Sequence, residues 1–444
     1  MCEIMINIPN YVKSVLEALN EAGFEAYLVG GCVRDSILGR PVFDWDITTS
    51  AEPEQVMAVF SAYYCIPTGL QHGTVTVVSE NHNLEITTYR CDGEYTDNRH
   101  PNSVIFTKNL RDDLSRRDFT INAMCCDLNG NFVDIFGGME DLDARIIRAV
   151  GDPDERFNED GLRIMRCIRF ASQLDFSVEE ATRDAVFRNK HLLKNISRER
   201  IFAELMKLLT GVAAQRILSE YGEIIFEIIP ELRDQYHHKQ IGKKHAYDIW
   251  EHTCHAVGGI DNDKILRLTM LLHDCGKATT ETFAENGDSQ FKNHAAVGGE
   301  IAYNIMKSLK VDNYTLNTVS FLVKNHDKKV PLDEVSVRKY RRVLGDENFL
   351  RLMKIRKADR GALADGYNDI SEMLKNALEM YDKSVQNNDC CTLSSLAVTG
   401  KDIGKLGYRG EEIGRMLDIA LEAVIEEKIQ NTKSDILNFI SNIV

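Results

Sequence analysis

The sequence predicts an α+β protein, with an N-terminal mixed β/α head followed by an all-α neck, body and tail. Three observations carry this. Short β-type runs are confined to the first third of the chain, the texture from about residue 154 is helical almost to the end, and only eight prolines occur in 444 residues, which suits a helical body. Taken in order, residues 11–22 set Val12, Val15, Leu16 and Leu19 at helical spacing and stop before Gly23, a residue suited to a helix C-cap. β-type runs follow at 26–29, 44–48, 74–78 and 84–89, with another near 132–135. A helix is expected over 119–124. No repeat or low-complexity tract interrupts the chain.

Composition narrows the classes. A content of 43% hydrophobic and 27% charged residues is an ordinary globular balance. No apolar run reaches transmembrane length, and the start Met1-Cys2-Glu3 lacks the basic region of a cleavable signal, so a cytoplasmic protein without a membrane partner is expected. Eleven cysteines include the adjacent pairs Cys125-Cys126 and Cys390-Cys391 but no C-x-x-C, which points to reduced thiols rather than a zinc knuckle or disulfide framework. A net charge of −15 excludes a general coating of nucleic acid, which needs clustered cations. Two basic segments remain, Lys190, Lys194, Arg198 and Arg200, and Arg338, Lys339, Arg341 and Arg342. Such runs are more often solvated helix faces than binding sites, so any RNA contact is local.

The chemistry-bearing stretch is Leu28-Val29-Gly30-Gly31-Cys32-Val33-Arg34-Asp35, followed by Asp44-Trp45-Asp46. Two glycines turning a strand into a helix offer bare N–H groups to a phosphate. Asp44 and Asp46, one residue apart, face one side of the next strand and can share divalent cations. Phosphoryl transfer needs a phosphate cradle beside metal ligands, and two such ligand sets hold cations about 3.5–4 Å apart. In the run 84–89, Glu85 alternates away from Leu84 and Ile86 and supplies either a third carboxylate or a solvated strand residue. Arg116-Arg117-Asp118 sets guanidinium forks beside an acceptor, which suits a triphosphate and a ribose hydroxyl.

These residues occur in a telling order. Gly30-Gly31-x-Val33-Arg34-Asp35, Asp44 and Asp46, the run from Arg116 through Asp118 to Met124, and Glu159-Asp160-x-x-Arg163 resemble class II tRNA nucleotidyltransferases and bacterial poly(A) polymerases. The tail segment from Val398-Thr399-Gly400-Lys401-Asp402 to Leu406-Gly407 is similar to the end of a CCA-adding enzyme. The resemblance implies a catalytic head over 1–145, a base-selecting neck over 146–210, a body over 211–385 and a tRNA-binding tail over 386–444. Asp44 and Asp46 are the expected Mg2+ ligands and Glu85 a further catalytic candidate, with nucleotide contacts implied from Gly30, Gly31, Arg34, Arg117 and Asp118. The segment 90–99 resembles the flexible loop needed to add the terminal A, although Arg99-His100-Pro101 stands where the family often has two arginines before the proline.

Base choice follows from donors and acceptors. Asp160 and Arg163, three apart in an expected helix, share a face. Cytosine and adenine each present an exocyclic amine beside a ring-nitrogen acceptor, whereas uracil and guanine present a carbonyl beside a ring N–H. An Asp–Arg pair therefore takes CTP and ATP and rejects UTP and GTP; an i,i+3 surface ion pair is the other reading. Arg166 and Arg169 continue the stripe, with triphosphate, RNA and simple ion pairing all open to them.

Further on, His252, His273-Asp274, His294, His326 and Asp359 resemble the HD phosphohydrolase superfamily, over about 245–360. The resemblance implies one or two divalent metals, and imidazole and carboxylate suit transition metals as well as Mg2+. The expected function is metal-dependent, template-independent addition or repair of CCA at tRNA 3′ ends from CTP and ATP. A poly(A) polymerase, a partial CC- or A-adding enzyme, and an HD phosphohydrolase with the head as RNA-binding module are the alternatives.

Overall fold

The computed structural model describes residues 6–93 and 104–443. Residues 94–99 of the expected flexible loop therefore lie outside the described residues. The chain divides into two compact units, Met1–Arg233 with Ser308–Val311, and Asp234–Lys307 with Asp312–Val444.

In the first unit, α1 (Asn10–Glu21) buries Val12, Val15, Leu16 and Leu19, as its spacing predicts. The strands that follow are β1 (Ala26–Val29), β2 (Asp46–Thr49), β3 (Tyr64–Gly69), β4 (Thr74–Ser79), β5 (His82–Thr88), β6 (Arg90–Asp92), β7 (Val104–Phe106), β8 (Met124–Cys126) and β9 (Phe132–Asp134). Seven of them make one sheet in the order β3-β4-β5-β2-β1-β8-β9, while β6 and β7 pair separately. Within that sheet β2 and β5 are parallel, which sets Asp46 beside Glu85. The β4–β5 hairpin turns on Glu80 and Asn81, both at positive φ, the geometry of a tight two-residue hairpin loop. Leu84 and Ile86 are buried and Glu85 is exposed, as the alternation predicts.

Three local expectations change. Asp44 lies before β2, not in it, because the strand begins at Asp46. Residues 119–124 form no helix. A single 3-10 turn, Thr120–Asn122, leads into β8, whose residues are all buried between β1 and β9. A strand buried on both faces has no alternation to read, so its apolar run mimics a helix. The helical texture after residue 154 is also interrupted, by Ser177–Val178 pairing in parallel with Ile146–Ile147 and by the hairpin of Glu281–Phe283 with Ser289–Phe291.

Helices α2 (Gly31–Ile37), α3 (Pro53–Val59), α4 (Leu110–Ser115) and α5 (Gly138–Ala144) flank the strands in sequence, and α6 (Pro153–Glu159), α7 (Leu162–Leu174), α8 (Glu180–Asn189) and α9 (Arg198–Leu209) follow. The second unit is built on helices Ile249–Gly258, Lys264–Leu272, His294–Ser308, Asn313–Asn325 and Glu334–Gly361, the last kinked at Gly345. No helix among the described residues is long and apolar enough to cross a membrane. The described cysteines are free thiols and mostly buried. Most of the basic-segment residues are bound up in local pairs. Lys194 meets Glu227 at 2.8 Å and Arg198 the carbonyl of Ile228 at 3.2 Å. Arg338 meets Glu427 at 2.6 Å, Arg341 Asp346 at 2.7 Å and Arg342 Asp418 at 2.7 Å.

Candidate active site and metal centre

The glycine turn is built for close approach. Gly30 ends β1 with φ 78°, and a Cβ there would lie 3.1 Å from Nη1 of Arg117; glycine adopts this conformation without a side-chain penalty and leaves the backbone bare. Arg34, on α2, forks onto Asp35 at 3.0 and 2.8 Å and donates to Oδ1 of Asn122 at 2.6 Å. Gly31, Arg34 and Arg117 thus meet at one turn. Arg117 donates to Asp113 at 3.4 Å, and its Nε is buried with no hydrogen-bond partner. A buried Nε–H left without an acceptor is a cost unless an anion completes it, and on this partly exposed guanidinium a phosphate fits that need.

Facing this turn, Asp46 and Glu85 stand side by side in the β2–β5 register, and Asp44 is exposed just upstream. Burial pushes the Asp46 carboxyl up to about 6, Glu85 and Asp44 push the same way, and Arg117 opposes them. Like charges gathered on a partly buried oxygen-only donor set fit a hard divalent cation.

Asp118 is buried and both of its carboxylate oxygens are engaged. Its Oδ1 accepts from Asn122 at 3.0 Å and from the Phe119 amide at 2.9 Å, while Oδ2 accepts from Nε and Nη2 of Arg166 at 2.7 and 2.6 Å. Burial opposes its charge, but Arg166, Asn122 and Arg163 hold the carboxyl well below the ordinary range. Arg169 pairs with Glu204 at 2.8 Å and lies 3.5 Å over the Phe170 ring. Simple ion pairing is thus what the structure gives Arg166 and Arg169.

Asp160 and Arg163 do not share a helix, contrary to the expectation from their spacing. Asp160 ends α6 in extended backbone, Gly161 intervenes, and Arg163 lies in the first turn of α7. The break arises because Asp160 caps the next helix, its Oδ1 accepting from the Leu162 amide at 3.0 Å. The two residues are still adjacent, the Arg163 amide donating to the Asp160 carbonyl at 2.9 Å. The Arg163 guanidinium pairs with Glu159 and donates to the Arg116 carbonyl at 2.8 Å.

In the second unit all six expected metal ligands converge. Gly276 makes this possible, since a Cβ there would lie 2.2 Å from the His294 carbonyl. His252, His273 and Asp274 form one group, and Asp274, His294 and His326 a second, each with ligand atoms within 4.8 Å of one another. Asp359 stands 3.1 Å from Nε2 of His252 and 3.7 Å from that of His273. Each imidazole is oriented by a backbone carbonyl at Nδ1: Ala362 for His252, Met270 for His273, Phe291 for His294 and Val323 for His326. A carbonyl only accepts, so Nδ1 carries the proton in each neutral ring and Nε2 keeps its lone pair. The Nε2 atoms of His252 and His273 then face each other at 3.4 Å, and those of His294 and His326 at 3.2 Å. Facing lone pairs repel, and a divalent cation would remove the repulsion, so this donor set fits metal ions that His252, His273, Asp274, His294, His326 and Asp359 would hold. Where no cation is bound, charged imidazoles take its place: burial opposes the charge on Asp274 and Asp359, yet His273 with Lys277, and His252 with His273, hold these carboxyls well below the usual range.

Sequence reading missed three supporting residues. Asp113 is fully buried, with Oδ1 taken by Arg116 and Oδ2 by Thr48 at 3.0 Å and by Arg117. Lys277 reaches Asp274 at 2.6 Å and Gln240 at 2.9 Å; its place three residues after Asp274 was the available signal. Arg356 donates to Asp359 at 3.1 Å and to the His326 carbonyl at 3.2 Å.

Comparison with known proteins agrees with this geometry. Residues 26–148 match the poly A polymerase head domain, 220–362 the HD domain and 294–440 the tRNA nucleotidyltransferase domain 2. A CCA-adding enzyme of Ligilactobacillus salivarius is 47% identical over 237 residues, 52% of this chain and 58% of the relative. One from Lactococcus lactis subsp. cremoris is 54% identical over 202 residues, 45% of this chain and 50% of the relative. The chain thus spans about half the length of the curated relatives it matches. The Bacillus stearothermophilus CCA-adding enzyme, solved in complex with CTP, is 27% identical with a TM-score of 0.73 over 98% of both chains. The Thermotoga maritima CCA-adding enzyme, at 18% identity and a TM-score of 0.63, shares the fold over 99% of this chain and 97% of its own. Segments similar to the poly A polymerase head, the HD domain and the tRNA nucleotidyltransferase domain 2 thus follow one another in this chain, on a fold shared end to end with the Bacillus stearothermophilus CCA-adding enzyme.

Proposed function

We propose that this protein adds or repairs the CCA sequence at tRNA 3′ ends from CTP and ATP without a nucleic-acid template. The observation that carries the reading is the Asp46–Glu85 pair facing the Gly30 turn and the unsatisfied Arg117. Asp44, Asp46 and Glu85 would hold Mg2+, which supplies charge neutralisation to the transferring phosphate and the leaving pyrophosphate. The bare amides at Gly30 and Gly31, with Arg34 and Arg117, receive the triphosphate. Asp118 orients Arg166 and, through Asn122, Arg34; a ribose hydroxyl would reach Asp118 only by displacing one of these donors. The carboxylate of Asp160 accepts from the exocyclic amine of cytosine or adenine while Arg163 donates to the adjacent ring nitrogen. Uracil and guanine present a carbonyl and an N–H to the same groups, which sets acceptor against acceptor and donor against donor.

In this reading residues 1–145 are the catalytic head, 146–210 the base-selecting neck, 211–385 the body and 386–444 the tail that holds the tRNA acceptor arm, in a cytoplasmic protein. Incubation with tRNA lacking CCA, together with CTP, ATP and Mg2+, followed by sequencing of the product, tests it. CCA is the expected addition; runs of A would make the protein a poly(A) polymerase, and C-C or A alone a partial enzyme. Absence of any addition would overturn the reading. The four facing imidazoles favour a second activity, metal-dependent phosphate-ester hydrolysis in the HD region, assayed as phosphate release in the same preparations.

A further inference from the structure

The Asp160 carboxylate is gripped at both oxygens. Oδ1 accepts from the Leu162 amide at 3.0 Å, and Oδ2 accepts from Nη2 of Arg200, on α9, at 2.9 Å. The other terminal nitrogen of Arg200, Nη1, is buried with no hydrogen-bond partner. Arg200 belongs by sequence to the basic segment with Lys190, Lys194 and Arg198, but those three meet Glu223, Glu227 and the Ile228 carbonyl. Of the four, it is Arg200 that is turned onto a carboxylate of the nucleotide-reading pair.

The physical consequence lies in how a carboxylate reads a base. Its terminal torsion is broad and nearly two-fold, so one hydrogen bond leaves the plane of the group free to swing. A second hold on the opposite oxygen fixes the plane, and with it the direction of the two lone pairs not engaged by Leu162 and Arg200. An exocyclic amine is distinguished from a carbonyl only where those lone pairs stay aimed; a swinging group relaxes to suit either.

We infer that Arg200 is a specificity-determining positioning residue, which fixes the plane of the Asp160 carboxylate and thereby enforces the choice of amine-bearing bases. This rests on the reading of Asp160 and Arg163 as the base selector. It makes discrimination depend on a residue 40 positions downstream that has no need to touch the nucleotide.

The test is single-nucleotide addition to tRNA ending just before CCA, with kcat/KM measured separately for CTP and UTP in the full-length parent, Arg200→Gln, Arg200→Lys, Asp160→Ala and the Asp160→Ala/Arg200→Gln double variant. Arg200→Gln is expected to lower the CTP:UTP ratio about tenfold, within the range for one bidentate base contact. Lysine keeps the charge but not the planar fork, so Arg200→Lys should retain about a third of the parental ratio. The double variant should discriminate no worse than Asp160→Ala alone, since both changes act through one group. If Arg200 merely ties α9 to its neighbours, CTP and UTP lose kcat/KM by the same factor and the ratio stays parental, which overturns the inference. Should the glutamine variant fail to fold, a parental ratio in Arg200→Lys overturns it equally. A parental ratio in Asp160→Ala would instead remove the base-selector reading itself, a separate failure.

Discussion

The two carboxylate-rich centres of this chain are built in opposite ways. In the HD region every candidate ligand is already in contact with another, every imidazole is oriented by a backbone carbonyl, and Asp274, shared by both groups, is 1% exposed. In the head, Asp44 and Glu85 are exposed, Asp46 is half-buried, and the guanidinium opposite keeps an unused donor. One centre has its candidate ligands already packed together; the other is left open at its carboxylates. The electrostatics differ in the same sense. The HD carboxyls are held well below the ordinary range, whereas Asp46 is raised. Cations of the protein already stabilise the first set, whereas in the second burial and neighbouring carboxylates outweigh the opposing charge of Arg117.

The largest effect that would break this comparison lies in the head. Asp46→Ala is expected to cut CTP incorporation by at least about a thousandfold while tRNA binding persists, because the group it removes acts on charge developing at the phosphate. Near-parental incorporation would show that transfer does not run through this centre. In the HD region, His273→Ala is expected to lower divalent-metal affinity by more than about a hundredfold, the upper end for loss of a mere supporting contact. Metal content measured after dialysis would check this. Nucleotide addition should persist in the same preparation, and its equal loss would mean that the HD ligands hold up the head's activity.

How much of this was legible depended on whether function or neighbours fixed a residue. The six HD side chains that converge, and the Asp44, Asp46 and Glu85 candidates, could be picked out because only a few residue types perform metal ligation. Strands β4 and β5 could be read from alternation. β8 could not, having no polar face, and β3 carries Pro67 as an edge strand tolerates. Asp160 and Arg163 were found while their geometry was not, because a spacing of three says nothing about an intervening cap. Asp113 and Arg200 stayed hidden for another reason. Thr48 lies 65 positions from Asp113, and Asp160 lies 40 from Arg200, so the burial and pairing that define them come from the fold.

The pH dependence of stability sharpens the contrast between the centres. A carboxyl whose folded pKa is raised from 3.8 to about 6 keeps its proton longer in the folded protein than in the unfolded chain. Folding stability therefore falls as pH rises from about 4 to about 6, and stays lowered above that. Asp46→Asn removes the term, so in chelator the variant should exceed the parent by about 2 kcal/mol at pH 7 and lose the advantage near pH 4. Added Mg2+ should narrow the gap by stabilising only the parent. The HD carboxyls carry the opposite sign, with stability present above the unfolded pKa and lost in acid. Denaturant titrations across pH, with and without Mg2+, measure both, and an Asp46→Asn variant no more stable than the parent at pH 7 would mean that neither burial nor the neighbouring carboxylates disfavour the Asp46 charge.

The smallest expected effect concerns the support behind Arg117. Asp113 is fully buried and presents one oxygen to Arg116 and the other to Thr48 and Arg117; against the opposing effect of burial, the two guanidiniums hold it below the ordinary range. Asp113→Asn keeps the shape but offers one acceptor and one NH2 group. With the oxygen retained by Arg116, the NH2 faces the Arg117 guanidinium, donor against donor, and Thr48 can reverse its hydroxyl to accept instead. Arg117 then loses its hold on the Asp113 carboxylate and its place against Gly30. Misplacement of a phosphate-positioning group by a fraction of an ångström should lower kcat/KM about tenfold. The loss should be equal for CTP and ATP, with the CTP:UTP ratio unchanged, because the base is read elsewhere. That pattern is the reverse of the one expected at Arg200, so the two variants assayed side by side separate a group that serves the phosphates from one that serves the base. A changed ratio in Asp113→Asn would show that the head and neck contacts are not separable, and parental kcat/KM for both nucleotides would show that Arg117 needs no orienting partner.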